Sequence, residues 1–354
     1  MRLVFVGESW RGSTARSQRD ALSALPGVEL QDIALDSYFP KWRSRLLRGL
    51  LRVLEHGIRA ELADEVLLQI QGFRPDALVV AKGFGLSRGL IEAVRCQGCL
   101  TVNLFPDNSP VVFGSALKDA LGSYDLVVSA KPFHPQAWRS QYGYNNQCVF
   151  VPHGYDPVVH LWPDAPPADG PIDVLLVATC RPAYLKLMVD VAVGLREMGL
   201  RLEVRGGGWA SFAGQAEGLF AVGPVVTGRA YGELVRAAKV VIAPVAGPSQ
   251  FRGMALPGDQ DSTRTYELAA AGCFFLHQRT DFVQQVFDEE QEVPMWDDAD
   301  ELVRLILRHL PDAPGRAAMA RRAHLRAVPA YSLAARAAQI HASIRAELAA
   351  RRRG

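Results

Sequence analysis

The chain has 354 residues, a formal net charge of only +2 and a hydrophobic content of 49%. That length suits two domains rather than one, and that composition fills two cores. The near-neutral charge argues against a nucleic-acid partner, which calls for a strong basic excess.

In chain order, residues 3–7 read as a strand running into Gly7. This is not a signal-peptide pattern, and no stretch reaches the ~18 uninterrupted apolar residues of a membrane span. Ser13 or Thr14 can cap a helix to about Leu25, and residues 28–35 form a second strand. A long helical region follows over 41–72, then strands at 77–82, 100–105, 126–130 and 148–151 with helices between them. A stretch rich in Pro, Asp and Gly covers 156–171 and has linker composition. The rhythm then restarts, with strands at 172–178, 202–205, 240–245 and 273–277 and helices at 184–198 and 263–271. From Asp298 onward the pattern is helical, ending in Arg351, Arg352 and Arg353. Strand and helix alternating in this way predict an α/β fold with two doubly wound parallel sheets, each covered on both faces. The expected domains are 1–155, a linker over 156–171, a second domain over 172–330, and a closing helix over 331–354 that packs back on the first domain. Ligands of such sheets bind at the carboxyl ends of the strands, here in a cleft between the two domains.

The five cysteines, Cys96, Cys99, Cys148, Cys180 and Cys273, are scattered. They make no disulfide framework, and the C-x-x-C of Cys96 and Cys99 lacks the second pair of a zinc site. The expectation is a cytoplasmic chain with reduced thiols and no resident metal or cofactor.

The richest stretch runs from Asp259 to Gly272. Ser262 or Thr263 caps a helix there, so its first turn offers free N–H groups and a positive dipole end, a phosphate seat. Arg264 stands in that turn. Glu267 lies one turn on, where a carboxylate can accept both hydrogen bonds of a ribose diol. After the first strand of this half, Arg181 and Lys186 can reach a diphosphate. The loop before residues 231–234, with Thr227 and Gly228, can hold a base through backbone atoms. Taken singly, each feature is equally an ordinary cap, a surface cation or a turn.

Together, the 264–272 helix, the strand after it, residues 289–296 and the helix over 298–310 resemble the C-terminal domain of group 1 glycosyltransferases, and within them the spore-maturation-protein-like branch. The resemblance covers residues 150–340 well and the first half in outline. It implies the GT-B architecture and transfer from a nucleotide-diphosphate sugar, UDP-sugar being the expected donor substrate. It assigns the ribose to Glu267, the diphosphate to Arg181 and Lys186, and the donor sugar to Asp259. The Gly/aromatic turn usual after that acidic position is replaced here by Gln260, Asp261 and Ser262. The resemblance leans toward retention of anomeric configuration. The spacing Asp259-x-Asp261 matches a metal-binding D-x-D, but it precedes a phosphate-seat helix and is taken as incidental, so transfer is expected without a metal.

For the acceptor, Gly7, Gly12 and Ser13 follow the first strand at a sheet edge. The loop after residues 100–105 offers Asp107 as a base or sugar-orienting carboxylate, and His134 and His153, also placed at the acceptor, are the other candidates of suitable pKa. The acceptor itself is open between a glycan, a lipid-linked compound and a small molecule. Between Lys41 and Ile58, Leu47, Leu50, Leu54 and Ile58 share one helix side and Arg45, Arg48 and Arg52 another, a candidate peripheral membrane contact. The alternatives to a transferase are a non-catalytic nucleotide-sugar-binding protein and an epimerase built on the same architecture.

Overall fold

The structure, a computed structural model, describes residues 1–39, 45–113, 115–162, 164, 170–215 and 218–353; at 45–54, 113, 115, 213 and 215 it describes the backbone alone. The chain forms two compact units. One takes in Met1–Pro152, Pro248–Pro257 and Leu333–Gly354, the other His153–Gly247 and Gly258–Ser332.

The first unit is built on β1 (Arg2–Gly7), β2 (Glu29–Ala34), β3 (Ala77–Ala81), β4 (Leu100–Phe105), β5 (Leu126–Ser129) and β6 (Gln147–Phe150). They form one sheet in the order β2-β1-β3-β4-β5-β6, parallel throughout. Leu3, Val4, Phe5 and Val6 are all buried, as is every residue of β3 and β4. Strands covered on both faces carry unbroken apolar runs, which is why they are legible in sequence. Leu62, Val66 and Ile70 of the helix Arg45–Phe73 cover one face. Leu22 covers the other, together with Ala337, Ile340 and Ile344 of the closing helix Leu333–Arg351.

The second unit carries β7 (Ile172–Val177), β8 (Leu202–Arg205), β9 (Ala221–Gly223) and β10 (Ala238–Ala243). A hairpin of β11 (Ser249–Phe251) and β12 (Met254–Leu256) interrupts it before β13 (Phe275–Gln278) and β14 (Met295–Trp296). Its sheet runs β14-β13-β10-β7-β8-β9, again parallel.

Three features depart from the sequence reading. β9 lies in a stretch expected to be loop, and β14 likewise lies where no strand was expected. The β11–β12 hairpin was not anticipated; it turns on Arg252 and Gly253, both with positive φ, the geometry tight hairpins favour. It belongs to the first unit, where the Asn108 side-chain amide donates to Pro257 O at 2.8 Å and that of Gln141 to Ala255 O at 3.0 Å. Third, the expected linker holds a one-turn helix, Pro157–His160, capped by Asp156 through Val158 N at 2.9 Å. Residues 163 and 165–169 of that stretch lie outside the described residues, as do Lys41 and the side chains of Arg45, Leu47, Arg48, Leu50, Arg52 and Leu54, so the expected membrane-facing stripe does too.

Each strand order reverses once, between β1 and β3 in the first sheet and between β7 and β10 in the second. At such a switch point adjacent loops leave the sheet in opposite directions and open a crevice at the strands' carboxyl ends. Both candidate sites lie at these reversals.

Candidate functional site

In the second unit the crevice is flanked by the loops after β7 and β10. The helix Thr263–Ala270 starts here, with Ser262 as its N-cap. Its first turn is clamped in place: Arg264 Nη2 donates to Pro244 O at 2.7 Å, Ser262 N to Thr265 Oγ1 at 3.1 Å, and Asp259 N to Ala246 O at 2.7 Å. Thr280 Oγ1 donates to Gln260 O at 2.6 Å, and Val245 N to the Gln278 side-chain oxygen at 3.1 Å. The amino end of the helix is thereby tied to the ends of β10 and β13. Ser262 and Thr265 form a capping box, and Arg264 Nε is a buried polar atom with no hydrogen-bond partner among the described residues. Unsatisfied polar atoms at a helix amino terminus are what an anionic ligand would complete.

Glu267 sits one turn in, its side chain only 18% exposed and its Oε1 3.8 Å from His160 Nε2. The Tyr231 hydroxyl is fully enclosed. Burial pushes its pKa well above the ordinary tyrosine range, the Glu267 carboxylate adds to the rise, and Arg264 opposes it. Glu267, Arg264, Tyr231 and His160 thus make one polar cluster, drawn from the helices Pro157–His160, Arg229–Arg236 and Thr263–Ala270. Beneath it His277 is wholly buried, with Nε2 2.8 Å from Thr265 Oγ1 and Nδ1 2.6 Å from Gln278 O. Gln278 O can only accept, so Nδ1 donates to it, and in the neutral ring that burial favours Nε2 accepts from the Thr265 hydroxyl. Burial lowers the His277 pKa to about 4, helped by Arg264 and opposed by the bond to Gln278 O.

Arg181 is exposed at the N-cap of the helix Pro182–Gly194, at the end of the loop after β7. It and the start of the Thr263–Ala270 helix therefore stand on the two strands that flank the reversal. Lys186 lies farther along, its ammonium 2.6 Å from Asp190 Oδ2 on the next turn and its side chain 77% exposed. Asp259 is half-buried beside the helix start. Asp261 is completely buried and accepts from the Tyr266 hydroxyl at 2.7 Å. Thr227 is exposed, and Gly228, with φ of 63°, N-caps the helix that carries Tyr231.

Sequence reasoning missed the loop Gly206, Gly207 and Gly208. Cys180 N donates to Gly207 O at 2.8 Å and Trp209 Nε1 to Ala178 O at 2.7 Å, so this loop holds the segment that presents Arg181. Three successive glycines directly after the strand Leu202–Arg205 were the available signal. His160 and Tyr231 carried none, because only tertiary packing brings them to Glu267.

In the first unit a cavity of ≈ 540 Å³ opens at the reversal between β1 and β3, lined by the loops that follow them. Gly12 and Ser13 line it; Ser13 N donates to Trp10 O at 3.1 Å. Gly7 lies beneath the loop, where a Cβ would come 2.7 Å from a Phe5 ring carbon, so glycine lets the strand end pack closely. Lys82 lines the cavity, and its Nζ is 3.8 Å from Asp107 Oδ2, which brings the Asp107 carboxylate to the same sheet edge. His153 is half-buried just after β6, in the segment that opens the second unit.

His134 does not have the expected acceptor-facing position. It is fully buried, with Nδ1 2.6 Å from Ser129 Oγ and Nε2 2.9 Å from Asn108 O. Its ring packs among Phe105, Trp138 and Tyr142. Both nitrogens serve the fold, and no face is left for a substrate.

With this geometry in view, residues 186–342 match a family profile described as glycosyl transferase-like. No curated protein matches the chain. Among solved structures, the sucrose-phosphate synthase of Thermosynechococcus elongatus is similar over 99% of this chain and 100% of its own, with a TM-score of 0.70 at 15% identity. Alr3699/HepE of Anabaena, solved in complex with UDP and glucose, is similar over 98% of this chain and 100% of its own, with a TM-score of 0.66 at 12% identity. The fold is GT-B. A putative UDP-N-acetylglucosamine 2-epimerase from Listeria monocytogenes shares it over 97% of this chain and 95% of its own, with a TM-score of 0.58 at 11% identity. Among the described residues, no helix is long and apolar enough to cross a membrane.

Proposed function

We propose that this chain is a glycosyltransferase that moves a hexosyl group from a UDP-sugar to an acceptor hydroxyl, with the donor seated in the second unit. The observation that carries the reading is the clamped amino end of the Thr263–Ala270 helix at the sheet reversal, with Arg264 and Glu267 beside it and Arg181 on the neighbouring strand end. The profile match over 186–342 covers the Thr263–Ala270 helix and β10 but neither β7 nor the loop bearing Arg181. UDP is preferred because the GT-B relative from Anabaena was solved with it.

In this reading the uridine diphosphate lies against the first helical turn, Glu267 accepts hydrogen bonds from the ribose diol, and Thr227 and Gly228 face the base. Asp259 contacts the donor sugar. The bond between the anomeric carbon and the diphosphate oxygen breaks through an oxocarbenium-like transition state, and negative charge grows on the leaving diphosphate. The helix start and Arg181 stabilise that charge, the largest contribution available to such a site. Lys186 contributes to the field from its pair with Asp190. The acceptor oxygen bonds to the anomeric carbon and passes its proton to the departing diphosphate oxygen, with Asp107 as the orienting carboxylate. We assign the acceptor to the first-unit cavity lined by Gly12 and Ser13. The chemistry is read as metal-independent because protein groups meet the leaving-group charge, and as retaining on the group 1 resemblance.

Incubation of the full chain with UDP- and GDP-sugars, with and without EDTA, tests this. The expected result is UDP release with a glycosylated product and a rate insensitive to EDTA. Tight nucleotide-sugar binding without turnover across a broad donor and acceptor panel would contradict it in favour of a binding protein. Acceptor-free UDP release with an isomerised sugar would point to an epimerase.

A further inference from the structure

The segment between β6 and β7 brings a side chain of its own to the donor site. His160 closes the one-turn helix Pro157–His160 and is only 7% exposed. Its ring meets that of Tyr231 edge to face, with centroids 5.7 Å apart and planes at 86°. Its Nε2 lies 3.8 Å from Glu267 Oε1, the only group with which that nitrogen pairs among the described residues.

The other ring nitrogen assigns the hydrogen. The Asp156 amide can only donate, and it reaches Nδ1 at 3.1 Å. Asp156 O stands at the same distance, but it already accepts from the amides of Val159 at 3.2 Å and His160 at 2.8 Å. Nδ1 therefore accepts, and in the neutral ring Nε2 carries the hydrogen and faces the Glu267 carboxylate with it.

The backbone that carries this ring is pinned to the second unit. Arg229 Nη1 donates to Leu161 O at 2.9 Å, and its guanidinium lies over the Trp162 ring, 3.4 Å from the centroid. Arg236 donates to Asp164 O at 3.0 Å and to Ala271 O at 3.1 Å. Ala271 is the C-cap of the helix that bears Glu267, so Arg236 ties the segment to that helix. Gly232 permits the close approach, since a Cβ there would come 3.1 Å from Val159 O.

We infer that His160 is a positioning residue for the nucleotide: its Nε2–H holds Glu267 Oε1, so that the carboxylate meets the ribose diol in one orientation. This rests on the transferase reading above and deepens it. At 3.8 Å the two groups are beyond direct hydrogen-bond range, and attraction between the N–H dipole and the carboxylate acts across the gap. Contacts of this kind are often long before a ligand binds and tighten in the complex. A carboxylate already held gives up little rotamer freedom when the diol arrives, whereas one free to turn gives up more.

The test is calorimetric titration of the full chain with UDP and with 2′,3′-dideoxy-UDP, in the parent and in His160→Phe and His160→Gln. The first substitution keeps a ring against Tyr231 and removes the donor; the second restores an N–H at a similar reach. The expected result is a UDP dissociation constant raised about three- to tenfold in His160→Phe, recovered for the most part in His160→Gln, and unchanged in both for the dideoxy analogue. In a Glu267→Gln background, His160→Phe should cost much less. Parent-like UDP affinity in His160→Phe overturns the inference, and so does an equal loss for both nucleotides, the mark of a packing role; the donor site still stands if Glu267→Gln weakens UDP. Should neither variant fold, histidine ¹⁵N spectra of the unmodified protein decide. One ring should hold its hydrogen on Nε2 and shift with UDP but not with the dideoxy analogue, and the lack of such a ring overturns the inference. Failure of the parent to bind UDP sinks the transferase reading itself, and this inference with it.

Discussion

Replacing Glu267 with Gln removes one negative charge and keeps the side chain's size and one acceptor oxygen. The carboxylate is 18% exposed and stands 3.8 Å from His160, so its hydrogen bonds to a ligand form in a partly desolvated place. A hydrogen bond to a charged group in such a setting is worth about 1.5–3 kcal/mol, equivalent to roughly a 10- to 150-fold rise in the UDP dissociation constant. The loss should be specific to the ribose. Calorimetric titration with UDP and with its 2′,3′-dideoxy analogue completes a cycle between protein and ligand. The unmodified protein should lose at least that factor when the diol is removed, and the Glu267→Gln variant, left with one neutral acceptor, should lose markedly less. The Tyr231 hydroxyl, relieved of a neighbouring anion, should titrate lower in the variant. Equal UDP affinity in both proteins, or equal sensitivity to loss of the diol, would refute the assignment of Glu267 to the ribose.

Arg181→Ala should lower kcat by roughly tenfold to a hundredfold with little change in donor KM, because the charge it meets develops in the transition state; steady-state kinetics with unchanged kcat would remove it from the mechanism. Gly7→Ala should destabilise the first unit by about 1–3 kcal/mol, since the new methyl meets Phe5 at 2.7 Å and Ala15 and Ala81 at 3.2 Å, and a urea midpoint equal to that of the parent would contradict this. His277 binds its proton at about 4 in the folded chain against 6.5 in the unfolded one, so the unfolded state takes up the proton first. Its contribution is intact above pH 6.5 and declines as pH falls toward 4, by about 3 kcal/mol in all. His277→Gln should flatten that slope in urea titrations run across the window, and an unchanged slope would show that another group is responsible.

The twelve sheet strands among the described residues are mostly visible in the sequence because parallel strands buried on both faces are rich in apolar residues, as the unbroken apolar run of β3 shows. The hairpin of β11 and β12 is invisible for the opposite reason. Its strands have three residues each and are largely exposed, and the contact of Asn108 with Pro257 that anchors it spans 149 residues. The helix start at Ser262 was legible through its cap and the Gly272 that ends it, since both are local backbone chemistry. Its clamp to β10 and β13 was not. His134 shows how a titratable side chain misleads: the sequence places an imidazole after a strand but does not reveal that Phe105, Trp138 and Tyr142 close around it. Lys186 could have been read better, because an Asp four residues on along a helix is a local partner. The first-unit cavity depends on the order β2-β1-β3, which only long-range pairing sets.

Hydrogen–deuterium exchange of the full chain, with and without UDP, addresses the central claim most directly, because it locates the nucleotide as well as detecting it. The account predicts slowed exchange in peptides covering 179–186 and 259–268, with the first-unit segments 8–15 and 81–87 unchanged by UDP alone. Protection confined to those first-unit segments, or no protection at saturating UDP, would contradict it.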